Sequence, residues 1–345
     1  MADRTAWISA TRRLRRGRLA KDARRVGEQR GITMTQYAID PELLPWLAMI
    51  PETDLSDMAA LRKRMPEMKN LIPPVVVPDG LDIREITIRG RDGYAIRAKV
   101  YTPAGEVDGL RPGFVNIHGG GFVSGDIDIM EQSAVDIAAG AGAIVVSPEY
   151  RLAPEHPFPA GLEDCYATLE WLAANAADLG VDPDRIAVGG ASAGGGLSAA
   201  VALLARDRQG PAICFQLLEI PELDDRLETP SMREFVDTPM WSRPKAEYSW
   251  KYYLSGAPET LGLQYAAPSR AEDLPGLPPA FVSVCEFDPL RDEGIIYAQR
   301  LLEAGVSTEL HHYRGTFHGS AMVATAEVSK RMAADAIGAI RRALN

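Results

Sequence analysis

From residue 82 onward, short apolar runs alternate with stretches that have helical spacing. "DIREITIRGRDGYAIRAKVYTP" contains two runs of alternating apolar and polar residues around "GRDG", which predicts a β-hairpin. Continuous apolar runs, typical of buried strands, follow at "GFVNI", "AIVVSP", "DRIAVGG", "ICFQLLEIP" and "PAFVSVCEF", with a further strand at "STELHHYRG". Helical segments separate most of them. This order predicts an α/β fold with a mostly parallel central sheet flanked by helices.

Two segments do not follow this alternation. Residues 1–31 are polar with helical spacing, "MTQYAIDPELLPWLAMI" and "SDMAALRKRM" predict two helical stretches broken by Pro51, and "LIPPVVVPDG" is a proline-rich connector. The segment 221–262 contains Trp241, Trp250 and several tyrosines, and we interpret it as an insertion at the edge of the sheet. With residues 1–70 it would form a lid or cap over the main domain.

Cysteine and histidine usage excludes several classes of protein. The 345-residue chain has three scattered cysteines, an odd and sparse count that predicts free thiols in a reducing cytoplasm. The Cys and His residues lack metal-ligand spacing, so we expect no metal and no cofactor. The first residues lack the apolar core of a secretory signal, and no window of 18 apolar residues predicts a membrane span.

Charge is distributed unevenly along the chain. Residues 1–30 hold ten Lys or Arg and three Asp or Glu, so this arm carries +7 and the rest of the chain −17 of the net −10. A basic arm could contact anionic membrane or nucleic acid. We favour a solvated helix that packs on its own acidic body or on a partner subunit, and the acidic body argues against nucleic acid as a partner.

The motif "GGASAGGG", residues 189–196, lies between a predicted strand and a predicted helix. It matches G-x-S-x-G, in which a strand turns abruptly into a helix and presents a serine at the helix N-terminus. Backbone N–H groups and the helix dipole favour developing negative charge there. The motif therefore makes Ser192 a candidate nucleophile, with a tight structural turn as the alternative.

A serine nucleophile needs a base and a carboxylate that orients the base. His318, in "GTFHGS" after the last predicted strand, is the candidate base, and Asp288 directly follows a buried strand. Asp292 is the second candidate acid, although it could serve as a carboxylate in the first turn of a helix. We expect structural roles for the remaining histidines, which are His118, His156, His311 and His312.

The segment "HGGGF", residues 118–122, also follows a predicted strand. Its glycines expose backbone N–H groups that can stabilise an oxyanion, as in the known motif of lipases and esterases. A phosphate-binding loop is the alternative, but neither the Lys-Ser/Thr pair nor the G-x-G-x-x-G pattern of such loops is present.

Taken together, these motifs resemble the hormone-sensitive-lipase-like group of bacterial esterases in the α/β-hydrolase superfamily. The resemblance rests on "HGGGF", "YRLAPEHPFPA", "GGASAGGG", "PELDDR", "EFDPLRDEG" and "FHG", and extends from about residue 36 to the C-terminus. It implies a cap formed by residues 1–70 and the insertion 221–262, over a catalytic domain of residues 71–220 and 263–345. It also suggests a homodimer.

The resemblance implies an ester hydrolase for short-to-medium acyl groups, with Ser192, Asp288 and His318 as its catalytic triad. The oxyanion donors would be the N–H groups of three residues: Gly120, Gly121 and Ala193. Three further residues are candidate apolar walls of the pocket: Phe122, Met240 and Trp241. The alternatives are a lactone, carbamate or amide hydrolase, and a non-catalytic small-molecule receptor.

One position departs from the family pattern. The family commonly carries Asp, or in another branch Thr, just before the nucleophile, whereas this chain has Ala191. A methyl group cannot make the hydrogen bond of a carboxylate or hydroxyl. Because that residue transfers no proton, we expect the triad to be retained.

Overall fold

The computed structural model describes residues 37–47, 50, 53–69, 74–105, 108–258 and 261–345. Within these ranges eight strands belong to one sheet: β1 (Leu81–Arg89), β2 (Ala95–Pro103), β3 (Arg111–Ile117), β4 (Ile144–Pro148), β5 (Val181–Ala191), β6 (Phe215–Glu219), β7 (Ala280–Phe287) and β8 (Thr308–Phe317). Their order across the sheet is β1-β2-β4-β3-β5-β6-β7-β8.

The predicted hairpin and the mostly parallel sheet are both confirmed. β1 and β2 pair antiparallel along their full length, and β2 also pairs antiparallel with β4. From β4 through β8 all neighbouring strands are parallel. Parallel strands run in the same direction, so their carboxyl ends lie at the same edge of the sheet.

Helices occupy most of the connections between the strands. In the described ranges they are α1 (Leu44–Leu47), α2 (Met58–Lys69), α3 (Glu131–Ala141), α4 (Ala160–Ala174), α5 (Ala176–Leu179), α6 (Ala193–Asp207), α7 (Pro230–Glu234), α8 (Arg243–Tyr253), α9 (Arg291–Glu303) and α10 (Glu327–Leu344). None of them is both long and apolar enough to cross a membrane.

The N-terminal helical prediction is wrong in part. In "MTQYAIDPELLPWLAMI" the described helix is limited to α1, because the N–H of Asp40 donates to the Gly315 carbonyl and its carboxylate accepts from the N–H of Glu42. Those contacts form a turn in place of a first helical turn. The stretch "SDMAALRKRM" is helical, as predicted, within α2. The basic arm, residues 1–30, lies outside the described residues.

At the centre of the sheet both faces are buried under helices. Ile186, Ala187 and Val188 in β5 are all fully buried, although they point alternately to opposite faces. One face packs in a core that includes residues of α4 and α6, and the other in a core that includes residues of α3 and α10. This double burial explains the continuous apolar runs and holds the carboxyl ends of the strands in fixed positions.

The segment between β6 and β7 includes the predicted insertion, with helices α7 and α8. It contacts the described part of residues 1–70: the Tyr37 hydroxyl donates to Asp237 at 2.6 Å, and the Tyr252 hydroxyl donates to the Ser56 carbonyl at 3.3 Å. These contacts agree with a composite cap. The proposed division into domains stays a prediction.

Candidate active site

Ser192 lies at the sharp junction between β5 and α6. Its φ is +59°, a left-handed conformation that L residues rarely adopt. Its N–H donates to the Glu219 carbonyl, and its carbonyl accepts from the N–H of Glu222 and Gly196. A Cβ on Gly190 or Gly194 would collide with the Ile117 carbonyl, so both glycines allow the elbow to pack against β3. The sequence motif therefore corresponds to a strained strand-to-helix turn.

His318 connects Ser192 to Asp288. Its Nδ1 is 2.7 Å from Asp288 Oδ2, and its Nε2 is 2.9 Å from Ser192 Oγ. Asp288 and His318 follow the ends of neighbouring strands β7 and β8, and Ser192 follows β5. With Nδ1–H donating to the carboxylate, Nε2 is left to accept the serine proton. All three side chains are buried, so little water competes for these hydrogen bonds.

The two candidate acids occupy different environments. The other carboxylate oxygen of Asp288 accepts from the Leu290 N–H at 3.0 Å, which fixes its orientation toward His318. Asp292 lies in the first turn of α9, where its carboxylate accepts from the Ser231 N–H at 2.7 Å and from the Arg291 side chain at 2.7 Å. The structure therefore pairs Asp288, not Asp292, with the histidine.

The HGGGF loop, residues 118–122, follows β3 and lies against the elbow. A Cβ on Gly119 would come within 3.4 Å of the Ser192 side chain. The carbonyl of Gly120 accepts from the Ser124 N–H at 2.9 Å and from the Ser124 hydroxyl at 2.8 Å. Gly120 and Gly121 have φ values of +128° and +59°, conformations that favour glycine.

Three backbone N–H groups of this region are free to bind a ligand. Within the described part of the chain, no backbone carbonyl accepts from the N–H of Gly120 or Gly121. Ala193 begins α6, where the first N–H groups have no partner inside the helix. These are the donors that the resemblance implies for an oxyanion.

His118 has the structural role expected for it. Its Nδ1 is 2.8 Å from the Gly119 carbonyl, and its ring stacks on Tyr150 with centroids 4.1 Å apart. Burial lowers the pKa of His118 to about 4, so the ring is neutral near pH 7. The Tyr150 hydroxyl also donates to the His118 carbonyl at 3.0 Å, so the "YRLAPEHPFPA" segment supports the HGGGF loop.

The three candidate pocket residues differ in position. The Trp241 ring lies 5.8 Å from the His318 ring between centroids, and Met240 would contact a Cβ on the next residue, Gly319. Phe122 is only 2% exposed and stacks on Tyr253 with centroids 4.1 Å apart. Trp241 and Met240 are therefore placed beside the triad, whereas Phe122 lies in the packed layer beneath α8.

Two serines of the segment between β6 and β7 touch the site but carry no sequence signal. The Ser231 hydroxyl donates to the Pro289 carbonyl at 2.8 Å, next to Asp288, and the Ser249 hydroxyl donates to the Gly121 carbonyl at 2.8 Å. Both bonds go to backbone carbonyls, so neither belongs to a spaced motif of functional side chains. Within the described ranges, no group of three or more His, Cys, Asp or Glu side chains is arranged to hold a metal ion.

Comparison with known proteins shows which family has this fold. A family model described as an alpha/beta hydrolase fold matches residues 114–322. Carboxylesterase NlhH of Mycobacterium tuberculosis is 43% identical over 324 residues, which cover 91% of this chain and 98% of that relative. Esterase LipI of the same organism is 39% identical over 290 residues, covering 82% of this chain and 88% of LipI.

The same similarity extends to solved structures. A bacterial heroin esterase is 50% identical, covers 89% of this chain and 98% of its own, and has a TM-score of 0.82. The family match spans more than half of the chain, and these relatives span most of it. The chain therefore belongs to the α/β-hydrolase family, in the hormone-sensitive-lipase-like group of esterases.

Proposed function

We propose that this protein hydrolyses carboxylic esters with short-to-medium acyl groups through an acyl-enzyme on Ser192. The observation that carries the proposal is the hydrogen-bond chain from Asp288 through His318 to Ser192, with distances of 2.7 and 2.9 Å. Nucleophile and base are within reach of proton transfer, and a buried carboxylate orients the base.

In the first half-reaction, Ser192 Oγ attacks the ester carbonyl carbon while His318 Nε2 takes the hydroxyl proton. The electron pair of the carbonyl moves onto its oxygen, which accepts hydrogen bonds from the N–H groups of Gly120, Gly121 and Ala193. When the tetrahedral intermediate collapses, the bond to the alcohol oxygen breaks. His318 gives its proton to the departing alcohol, and the acyl group stays on Ser192.

The second half-reaction repeats these steps with water. His318 takes a proton from the water molecule, and the resulting hydroxide attacks the acyl carbon. The bond between Ser192 Oγ and the acyl carbon then breaks, the proton returns to the serine, and the carboxylic acid leaves. Asp288 stays ionised and stabilises the imidazolium that forms in each half.

The substrate class rests on the relatives and on the pocket residues. Relatives at 39–50% identity are named esterases or carboxylesterases. Trp241 and Met240 would limit the space for the acyl group beside His318. The bonded His318 argues against a receptor that has lost its base.

We also propose a cytoplasmic location and a homodimer. Cys165, Cys214 and Cys285 are free thiols, which suits a reducing compartment. The family resemblance supports the dimer, and analytical ultracentrifugation at several protein concentrations measures the mass in solution. A species with the mass of one chain at all concentrations would contradict the dimer.

The test of the function is hydrolysis of p-nitrophenyl esters of increasing acyl length by the wild type and by Ser192→Ala. We expect activity on short-to-medium chains that is lost in the variant. A matched control is Ser198→Ala, because Ser198 lies on α6, the helix that follows Ser192, and its hydroxyl donates to the Gly194 carbonyl. Wild-type turnover by Ser192→Ala would contradict the proposal. Faster hydrolysis of lactones, carbamates or anilides than of esters would contradict esters as the substrate class.

A further inference from the structure

A buried carboxyl group is connected to the HGGGF loop through one serine. The Ser249 hydroxyl lies 2.8 Å from the Gly121 carbonyl and 3.1 Å from Glu222 Oε1. The side chains of Glu222 and Ser249 are both fully buried, and the other carboxyl oxygen of Glu222 has no hydrogen-bond partner among the described residues.

The two contacts of Ser249 share one hydroxyl proton, which links the protonation state of Glu222 to the Gly121 contact. A serine hydroxyl has one proton, and a carbonyl oxygen can only accept. If Ser249 donates to Gly121, the short contact between Ser249 and Glu222 is a hydrogen bond only when the carboxyl donates. Both contacts are therefore satisfied by a neutral Glu222 that donates to Ser249, which in turn donates to Gly121.

The surroundings of Glu222 favour the neutral form. The titratable groups that face it are Asp288 from the loop after β7, Glu293 from α9, Tyr253 from α8 and Tyr150 from the loop after β4. None of these four is a cation. Burial raises the pKa of Glu222 to about 8; a hydrogen bond from Ser249 to the ionised carboxylate lowers the pKa in part, and the negative charge of Asp288 raises it slightly.

Glu222 also touches the nucleophile side of the site. Its N–H donates to the Ser192 carbonyl at 3.1 Å. One residue thus contacts the elbow through its backbone and the HGGGF loop through its side chain. The two carbonyls that flank the Gly121 N–H are both held: Gly120 by Ser124, and Gly121 by Ser249.

We propose that neutral Glu222 is a positioning residue that, through Ser249, holds the HGGGF loop with its N–H groups directed at the oxyanion. This inference rests on the proposed esterase function and deepens it. When Glu222 ionises, its carboxylate attracts the Ser249 proton, and the Gly121 carbonyl loses its donor. The loop then stabilises the oxyanion less well, so the effect falls on kcat more than on KM.

The sign of the pH effect follows from this arrangement. The productive state is the protonated one, so it is populated below the pKa of Glu222, about 8, and is lost as the pH rises through that value. We expect kcat of the wild type to fall by about tenfold above this pH. That is less than the roughly 10² to 10³ for complete removal of an oxyanion donor, because the N–H group remains.

The experiment measures kcat and KM between about pH 6 and 10, with spontaneous ester hydrolysis subtracted. Glu222→Gln keeps a donor toward Ser249 but cannot ionise, so we expect near-wild-type kcat at neutral pH without the alkaline fall. Ser249→Ala removes the donor to Gly121, and Glu222→Ala removes the carboxyl that orients the Ser249 hydroxyl. Each should lower neutral kcat by about tenfold, change KM by less than about threefold, and lose the alkaline step. Glu219→Gln is the matched control, since burial also raises the pKa of Glu219, to about 7, whereas the Ser249 hydroxyl contacts Glu222 and Gly121.

Two results would overturn the inference: an alkaline fall that persists in Glu222→Gln, or one that disappears in Glu219→Gln. If Glu222→Ala fails to fold, Glu222→Gln and Ser249→Ala decide the question alone. Labelling of Ser192 by a fluorophosphonate in each variant separates failure of the Glu222 inference from failure of the esterase proposal. If only the Glu222 inference fails, every folded variant that retains Ser192 is still labelled stoichiometrically. Failure of the esterase proposal would appear as an unlabelled wild type.

Discussion

The triad and the segment between β6 and β7 contribute to the site in different ways. Ser192, Asp288 and His318 follow the carboxyl ends of β5, β7 and β8, and they contact one another through side chains. Ser231 and Ser249, from the other segment, reach the site through hydrogen bonds to the Pro289 and Gly121 carbonyls. The sheet thus carries the side chains proposed to react, whereas the second segment contacts the backbone around them.

This difference predicts two kinds of mutational effect. Loss of a triad side chain removes a proton transfer or the group that orients it. Loss of a contact from the segment between β6 and β7 leaves the chemistry in place and changes geometry, substrate fit or stability. The predictions below follow this scale from the largest expected effect to the smallest.

The largest effect after loss of the nucleophile itself is expected for Asp288→Asn. The variant keeps the shape of the side chain but no longer holds His318 in the correct tautomer, so kcat should fall by about 10³ to 10⁴, as in the known serine-protease template. Asp292→Asn is the matched control, because Asp292 bonds Ser231 and Arg291 instead of the histidine. Equal losses in the two variants would contradict the assignment of the acid.

Gly121→Ala should come next, with a loss of about 10² to 10³ in kcat. A Cβ there would collide with the Trp241 ring, and the φ of +59° is strained for alanine, so the N–H would move away from the oxyanion. Gly256→Ala is the control: it also has a positive φ, +75°, but its Cβ would point into open space. A similar loss of kcat in both variants would mean that backbone strain alone explains the effect.

The sequence predicted the grouping of Ser192, His318 and Asp288 better than the residues around them. Ser192 and the glycine-rich HGGGF loop belong to motifs in which the local backbone demands particular residues, and His318 and Asp288 follow apolar strands directly. Asp292 stayed an alternative because spacing alone cannot tell which carboxylate faces a histidine 26 or 30 positions away in the chain. The register of β7 and β8 decides that question.

The pocket and the N-terminal segment were harder to predict. Phe122 belongs to the HGGGF motif, yet its ring is buried against Tyr253, a contact set by the packing of α8. The helix α1 begins only at Leu44 because Asp40 pairs with Gly315, which lies 275 positions further along the chain. Such contacts depend on tertiary packing, which local periodicity does not contain.

Trp241→Ala should have an intermediate effect, which concerns acyl-chain preference. Removing the indole beside His318 opens space for the acyl group, so the ratio of kcat/KM for long and short acyl esters should rise about tenfold. Phe122→Leu is the control, because Phe122 lies in the packed layer and should affect stability rather than this ratio. An unchanged ratio in Trp241→Ala would remove Trp241 from the pocket wall.

The smallest effect on stability and activity is expected for the contact between Tyr37 and Asp237. Tyr37→Phe removes an exposed hydrogen bond of 2.6 Å, which should lower the free energy of unfolding by less than about 1 kcal/mol and leave kcat within about twofold. A double-mutant cycle with Asp237→Asn measures the coupling by thermal unfolding. A loss of kcat above about tenfold would instead make this contact part of the catalytic geometry.

The central claim is that Ser192 is the residue that becomes acylated. The most direct measurement is reaction with diethyl p-nitrophenyl phosphate, followed by mass spectrometry of the proteolysed protein. We expect one equivalent of p-nitrophenolate per active site, a diethylphosphoryl group on the peptide that contains Ser192, and no adduct in Ser192→Ala. A stoichiometric adduct on another residue, or an equal adduct in Ser192→Ala, would contradict the account.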